Sequence, residues 1–394
     1  MQINFRWSPK NRYSIAALGA VLGDYRLVRR PEAGVMLYSF ASPQAADVYR
    51  EVDAARTARA AHDSIFIAGG PHPSGCPEEA AEHFDYVVVG EGEATLPELL
   101  ATLEGGSDVS GVRGIAFTRD GQFHYTGPRE EVDLDRCPPF RPPLLGPIEI
   151  TRGCPWGCAY CQTPSLFGHR MRHRSVEAIC KYDGFYEDKR LVSPNAFAYG
   201  SDGVRPAPEA VERLLKSLTG NVYFGTFPSE VRPEFVTRDM IELVTTYCAN
   251  REVHLGGQSG SDRVLRSIRR GHTAAQVVEA AACVRDAGLT PVVDFIFGLP
   301  GEREEDQAAT LGCIEAIIRE GGKIRAHYFM PLPGTPLAAA QPEKVAPEID
   351  RLLGKLALGG RLTGSWSPQR TRIKTPRRHL EPKDAKAPSS FKRY

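Results

Sequence analysis

Three cysteines, Cys154, Cys158 and Cys161, share one short segment, Ile150-Thr151-Arg152-Gly153-Cys154-Pro155-Trp156-Gly157-Cys158-Ala159-Tyr160-Cys161, at the spacing CxxxCxxC. Thiolates are soft ligands that select zinc or iron-sulfur clusters. A structural zinc site wants a fourth Cys or His, and His169 is the nearest candidate. On a cubane of four irons, three thiolates leave one iron without a protein ligand, the open position that a substrate-binding cluster requires. The other cysteines, Cys76, Cys137, Cys180, Cys248, Cys283 and Cys313, stand alone in the sequence. A lone cysteine behaves mostly as a small buried hydrophobe.

The chain that must position this loop has 394 residues, 42% hydrophobic and 25% charged, which is globular composition with material for two or three domains. Dominant disorder, collagen-like and low-complexity classes are excluded. Lys plus Arg number 49 against 48 Asp plus Glu, so no global field recruits nucleic acid or an acidic membrane. Nine cysteines are too few and odd in number for a secreted disulfide scaffold. The first residues, MQINFRWSPKNRYS, lack the apolar stretch of an export signal, and runs such as 292–299 reach only strand length. A cytoplasmic protein without membrane spans is expected, with its thiols free.

Up to residue 136, short apolar runs alternate with helical patterns, the rhythm of a doubly wound, mainly parallel sheet. Strands are expected at 3–7, 25–28, 35–40, 64–68 and 86–89, helices at 13–23, 45–61, 77–83 and 95–103, and a hairpin turning at Asp120-Gly121. Two strands run into turn-rich loops, Gly69-Gly70-Pro71-His72 and Gly90-Glu91-Gly92-Glu93, and ligands gather at such strand ends. A Pro-rich linker over 137–146 separates this domain from a second α/β series over 147–340. There, strands are expected at 148–151, 196–199, 222–224, 253–255, 292–297 and 324–329, with helices near 208–218, 274–287 and 304–320. Six βα units suggest a partial barrel. Residues 341–394 read as a helical extension ending in a tail, 365–394, with nine Lys or Arg against two Asp or Glu.

The cysteine spacing, its place after the first strand of the second series and its flanking residues resemble the radical S-adenosylmethionine superfamily, over roughly Pro147 to Leu337. The resemblance implies a partial (β/α)6 barrel whose cysteines 154, 158 and 161 hold a 4Fe-4S cluster, with the fourth iron chelating S-adenosylmethionine. It also implies contacts to that ligand from Tyr160, from Gly200-Ser201-Asp202 in place of the usual Gly-Gly-Glu-like turn, and from Glu230, Gln258, Ser259, Phe297 and Gly298. Gly256-Gly257-Gln258-Ser259-Gly260-Ser261 and Arg269-Arg270-Gly271-His272-Thr273 are similar to segments of tRNA methylthiotransferases. Pro331 to Pro336 is expected to shape the mouth of the cavity.

The first domain is similar to the Rossmann-like cobalamin-binding domains that precede many radical S-adenosylmethionine enzymes, through Gly69, Gly70, Pro71, His72, Gly90, Glu91 and Gly92. Glycine there lets backbone approach a flat macrocycle. The Asp-x-His-x-x-Gly segment through which some such domains ligate cobalt is absent. The combination implies reductive cleavage of S-adenosylmethionine, an external electron donor such as flavodoxin or ferredoxin, and cobalamin-dependent methylation of an unactivated carbon in an unidentified substrate. Two alternatives stand beside it. A methylthiotransferase on tRNA or protein would bring three further cysteines before the cluster motif, where this chain has only Cys76 and Cys137. A non-catalytic iron-sulfur or corrinoid sensor would bind cofactors without turnover.

Overall fold

The computed structural model describes residues 1–57 and 64–364. Val35-Met36-Leu37-Tyr38-Ser39 is apolar at nearly every position, as a strand covered on both faces should be, and all five residues are buried. This strand is the third of a seven-stranded sheet: β1 (Ile3–Arg6), β2 (Arg26–Val28), β3 (Val35–Ser39), β4 (Ile65–Gly69), β5 (Tyr86–Val88), β6 (Ile115–Arg119) and β7 (Gln122–Tyr125). Their order is β2-β1-β3-β4-β5-β6-β7, with β1 to β5 parallel and the last two antiparallel. The order reverses between β1 and β3, the switch point outside which doubly wound sheets take ligands.

Alternation along the strands divides the two faces. Val35 and Leu37 pack with Ile15 of α1 (Arg12–Val21) and Leu96 and Leu99 of α5 (Gly92–Glu104). Met36 and Tyr38 pack with Tyr49 and Val52 of α2 (Ala45–Thr57), and with Ala80 and Ala81 of α4 (Pro77–Ala81), which follows the single-turn α3 (Pro71–Gly75). Asp120 and Gly121 both have positive φ, 53° and 72°, as a two-residue type I′ hairpin turn needs. The end of the helix expected over 45–61 and the basic tail over 365–394 lie outside the described residues.

The second series closes into a partial barrel. β8 (Ile148–Glu149), β11 (Asp188–Val192) and β12 (Asn221–Tyr223) are parallel, as are β13 (Glu252–Gln258), β14 (Thr290–Phe297), β15 (Lys323–Tyr328) and β16 (Leu362–Thr363). A parallel bridge between Val231 and Leu255 joins the groups. β9 (Thr151–Arg152) and β10 (Arg172–His173) form a small antiparallel pair that carries the cysteine loop. Helices α6 (Thr163–Phe167), α7 (Val176–Cys180), α8 (Pro208–Lys216), α9 (Arg238–Tyr247), α10 (Asp262–Ser267), α11 (Ala274–Asp286), α12 (Glu304–Arg319) and α13 (Pro347–Leu358) punctuate the strands. One core fills the space between strands and helices, with Leu191, Phe224, Leu255, Phe295 and Ala326 within it.

One expected strand is misplaced. Residues 196–199 form a short 3-10 turn, and the second barrel strand is β11, Asp-Lys-Arg-Leu-Val. Its charges conceal it. Lys189 is buried, but its ammonium donates to the Tyr186 carbonyl at 2.9 Å and lies 3.3 Å from Asp183. Ala196-Phe197-Ala198 is buried too, although in a turn.

The two sheets are fastened by a buried ion cluster at the root of the cysteine loop. Arg152 sits 2.8 Å from Glu93 and 3.4 Å from Glu91 of the first domain, and 2.6 Å from Glu149 of its own. Arg172 pairs with Glu91 and, at 3.3 Å, with Glu131. Burial alone would push the Glu93 carboxyl up, but the Arg152 charge outweighs it and holds the group below its ordinary range. Arg152→Leu strands Glu93 without its cation, so the full chain is expected to lose about 3–5 kcal/mol in denaturant unfolding. Adding Glu93→Leu should restore most of that loss; a double variant as unstable as the single one would contradict the assignment.

Candidate functional site

The cysteine loop leaves β9 through Gly153, whose φ is +81° and where a Cβ would strike the Arg170 carbonyl. Backbone bonds then pin it on three sides. Cys154 N–H donates to the Gly168 carbonyl at 3.2 Å, Ala159 N–H to Ile268 at 2.9 Å, and the Ala159 carbonyl accepts from Leu337 at 3.2 Å. Trp156 donates to the Gly203 carbonyl at 2.8 Å and stacks beneath the Arg232 guanidinium, 3.8 Å from the ring centre. Gly271 lies so close to the same ring that no Cβ fits there.

Cys158 is buried, while Cys154 and Cys161 are partly so. Burial pushes the thiols of Cys154 and Cys161 up, so bound metal must supply the positive charge that makes them thiolates. Arg232 and Arg270 stand 3.8 Å and 3.7 Å from the Cys158 sulfur. Arg270 also donates to the Gly256 carbonyl at 2.8 Å, and its buried Nε has no hydrogen-bond partner. His169, the fourth ligand that a zinc reading needs, is exposed on the turn after Gly168. Three thiols with two cations behind them fit an anionic iron-sulfur cluster better than a closed zinc site.

Beside Cys161 a cavity of about 410 Å³ opens at the carboxyl ends of the barrel strands, a size suited to a small organic ligand. Tyr160, Glu230, Gln258, Arg270, Asp294 and His327 line it. Gln258 has φ of +69° at a bulge in β13, a strained backbone that re-aims its side chain. Asp294 and Arg325 face inward because they occupy the alternate register to Val293, Phe295 and Ala326 of the core. Arg325 lies 3.0 Å from Asp294 and 3.4 Å from Glu230, and one oxygen of Asp294 is buried without a hydrogen-bond partner. Burial and the neighbouring Asp294 push Glu230 from 4.5 up to about 8, and burial also raises Asp294. The pair therefore holds a proton close to neutral pH.

Behind the loop, burial opposes ionisation of Glu234, but the neighbouring His272 and the Arg232 charge hold it at about 2. Arg232 donates to Glu234 at 2.6 Å, and His272 lies 3.4 Å from its other oxygen.

Of the residues expected to contact S-adenosylmethionine, Tyr160, Glu230 and Gln258 line this cavity and the others do not. Ser259 is buried behind the strand, 3.3 Å from Thr310 Oγ1, and Phe297 belongs to the core. Gly298 turns away, its N–H donating to Glu302 at 3.1 Å. Gly200, Ser201 and Asp202 form a turn outside the cavity: the Ser201 carbonyl lies 2.7 Å from His173 Nε2 on β10, and Asp202 accepts from Val204 N–H at 2.9 Å. Because the second strand ends at Val192, its outgoing residues Ser193 and Pro194 line the cavity instead.

In the first domain, the strand-end loop reaches the cluster loop through Gln162, which donates to the carbonyls of Pro71 at 3.1 Å and Pro333 at 2.7 Å. Gly69 and Gly70 lead into this contact, and Gly70 has φ of +92° beside Ser39. Pro333 in turn packs against Gly75. His72, expected as a corrin contact, is buried inside the first domain. Gly90 N–H donates to Ser74 at 3.0 Å, Glu91 is spent on Arg152 and Arg172, and Gly92 packs on Leu18. Sequence reading gave Arg232 and Arg270 no role of their own, although both lie in segments that carry the resemblance, and it missed Asp294, Arg325 and His327. A polar residue at every second place of an apolar run, as in Lys323-Ile-Arg-Ala-His327, was the available signal.

Residues 148–313 match the model of the radical SAM superfamily, and residues 26–100 match that of the B12 binding domain. The chain carries both domains. The radical SAM domain implies a 4Fe-4S cluster and S-adenosylmethionine, and the B12 domain implies a cobalamin. An uncharacterized methyltransferase of Pyrococcus horikoshii is 27% identical over 314 residues, 74% of this chain and 66% of that protein. A tRNA-2-methylthio-N(6)-dimethylallyladenosine synthase of Thermus thermophilus is 35% identical over 226 residues, 53% of this chain and 45% of that enzyme. The chain thus spans about half to two thirds of the length of these relatives. The solved radical S-adenosylmethionine methyltransferase TsrM of Kitasatospora setae, with cobalamin and a [4Fe-4S] cluster bound, superposes with a TM-score of 0.63. It shares 15% identity, over 86% of this chain and 74% of its own. The cobalamin-dependent S-adenosylmethionine radical enzyme OxsB, at 16% identity, gives 0.60 over 79% of this chain and 51% of its own. At such identities the likeness is one of fold, extending across both domains.

The cavity carboxylates give the radical SAM domain a pH signature. The folded state keeps a proton on Glu230 that the unfolded chain releases between about pH 4.5 and 8, so stability of the cluster-free protein falls as pH rises through that window. Glu230→Gln should flatten this slope in denaturant titrations. Parallel slopes for variant and parent would contradict the assignment.

Proposed function

We propose that this chain is a cobalamin-dependent radical SAM methyltransferase acting on an unactivated carbon of its substrate. The observation that carries the reading is the Gln162 bridge: the residue next to Cys161 is hydrogen-bonded to Pro71 in the strand-end loop of the B12-binding domain. The loop that would hold the cluster and the loop that would face the corrin are thereby neighbours. When bound, the cluster, S-adenosylmethionine and cobalamin supply radical chemistry and a transferable methyl group.

The chain's own residues do the rest. Cys154, Cys158 and Cys161 hold the cluster, and Arg232 and Arg270 neutralise charge on its Cys158 side. Glu230, Gln258 and Asp294 offer hydrogen bonds to the ligand in the cavity, where Tyr160 covers one wall. Gly69, Gly70 and Pro71, the last tied through Gln162 to Pro333, would line the side that takes the corrin. His72 is turned inward toward Ser42, so in this reading it gives the cobalt no ligand. An external one-electron donor such as flavodoxin or ferredoxin is needed. Among the described residues no helix is long and apolar enough to cross a membrane.

Similarity to the methylthiotransferases has a structural source that does not require RNA. Arg270 and His272 are buried props beneath the cysteine loop, and Gly271 packs against the Trp156 ring of that loop. Their likeness follows from supporting the same cluster.

After anaerobic reconstitution with iron, sulfide, cobalamin and a low-potential reductant, the protein should convert S-adenosylmethionine to 5′-deoxyadenosine and S-adenosylhomocysteine. Cys158→Ala should lose both products and the cluster. Full iron loading in that variant would overturn the ligand assignment, and a cluster-loaded parent without either product would overturn the enzyme reading.

A further inference from the structure

His72 of α3, Cys76 between the two helices and Glu79 of α4 come together on the face of the first sheet that α2 and α4 cover, with their ligand atoms all within 4.8 Å of one another. His72 Nε2 lies 3.5 Å from the Cys76 sulfur and 3.5 Å from Glu79 Oε1. A tetrahedral zinc with bonds of about 2.0–2.1 Å to nitrogen, 2.3 Å to sulfur and 2.0–2.2 Å to oxygen sets its N and S about 3.6 Å apart and its N and O about 3.4 Å apart. The apo side chains already stand at those separations.

The geometry points to a mononuclear zinc site formed by His72 Nε2, Cys76 Sγ and Glu79, separate from the cluster cysteines. Ser42 completes the pattern. Its hydroxyl lies 2.9 Å from His72 Nδ1, the kind of outer partner that metal-bound histidines have, and leaves Nε2 for the metal, with the Cys76 sulfur beside the ring at 3.5 Å from Nε2 and 3.9 Å from Nδ1. The rings of Phe40 and Tyr49, 5.8 Å and 6.0 Å from His72, hold the imidazole from the sides. The Glu79 side chain is 41% exposed, which leaves an entry path and room for water as the fourth ligand.

Charge and donor type select the ion. Binding forms a zinc–sulfur bond as the Cys76 proton leaves to solvent. One thiolate and one carboxylate then balance the divalent charge, and His72 binds neutral. Sulfur disfavours magnesium and calcium. The metal would staple α3 to α4 and thereby fix the loop that carries Pro71 against Gln162 and Gly75 against Pro333. Zinc in this place would hold the loop of the interdomain contact while keeping one exchangeable water position, an open rather than a closed site, and it stands whether or not the methyltransferase reading does.

The test uses the full chain with its 4Fe-4S cluster reconstituted, so that the cluster thiols are occupied. The protein is exposed to zinc chloride, desalted, and measured for zinc and iron by elemental analysis and for zinc ligands by X-ray absorption. One zinc per chain with a single sulfur ligand is expected, lost in Cys76→Ser with iron unchanged, and bound about tenfold more weakly in Ser42→Ala. Glu79→Gln, at a partly exposed position, serves if Cys76→Ser does not fold. No retained zinc, zinc bound by three sulfurs, or full retention in Cys76→Ser or Glu79→Gln would each overturn the site.

Discussion

The arrangement depends on a single buried guanidinium. Arg152 ends β9, two residues before Cys154, and is shared by Glu91 and Glu93 of the first domain and Glu149 of the second. A charge this deep is tolerated only with its partners in place. The ion cluster therefore sets where the cysteine loop begins and how the two sheets meet. Arg172 repeats the device one strand away, and Arg174 adds to it by donating to the Cys137 carbonyl at 2.9 Å, so that the linker is tied to the same edge.

Given that joint, the barrel can afford a polar interior at one end. Its strands present apolar side chains to the helices and Asp294, Arg325 and His327 to the lumen, where a pair of carboxylates and a guanidinium surround a cavity next to Cys161. The cysteine loop rests on buried cations, Arg232 and Arg270, which offset the negative charge of thiolates and sulfide. Glu234 and His272 hold Arg232 in place from behind. Substrate-facing polarity and cluster-facing charge thus come from different layers of the same domain.

Much of this was legible in the chain. The CxxxCxxC loop, the five parallel strands of the first sheet and the Asp120-Gly121 hairpin follow from ligand spacing, continuous apolar runs and turn chemistry, all local signals. What escaped was set by tertiary partners. β11 was hidden because Lys189 is buried with a satisfied ammonium, and apolar Ala196-Phe197-Ala198 imitated a strand. Glu91 sat in a plausible corrin loop, yet its partners Arg152 and Arg172 lie about 60 and 80 residues on, beyond any local pattern. Ser259 and Phe297 lay in the right segments, but strand alternation and the bulge at Gln258 turned them away from the cavity.

The central claim is that one site, at the junction braced by Arg152, takes both an iron-sulfur cluster and a corrin. The most direct measurement is the cobalt-to-iron ratio of the full chain after anaerobic reconstitution with cobalamin, iron and sulfide followed by gel filtration. One cobalt for every four irons is predicted. Full iron loading with no retained cobalt would contradict it and leave a radical SAM domain joined to a corrin-free partner.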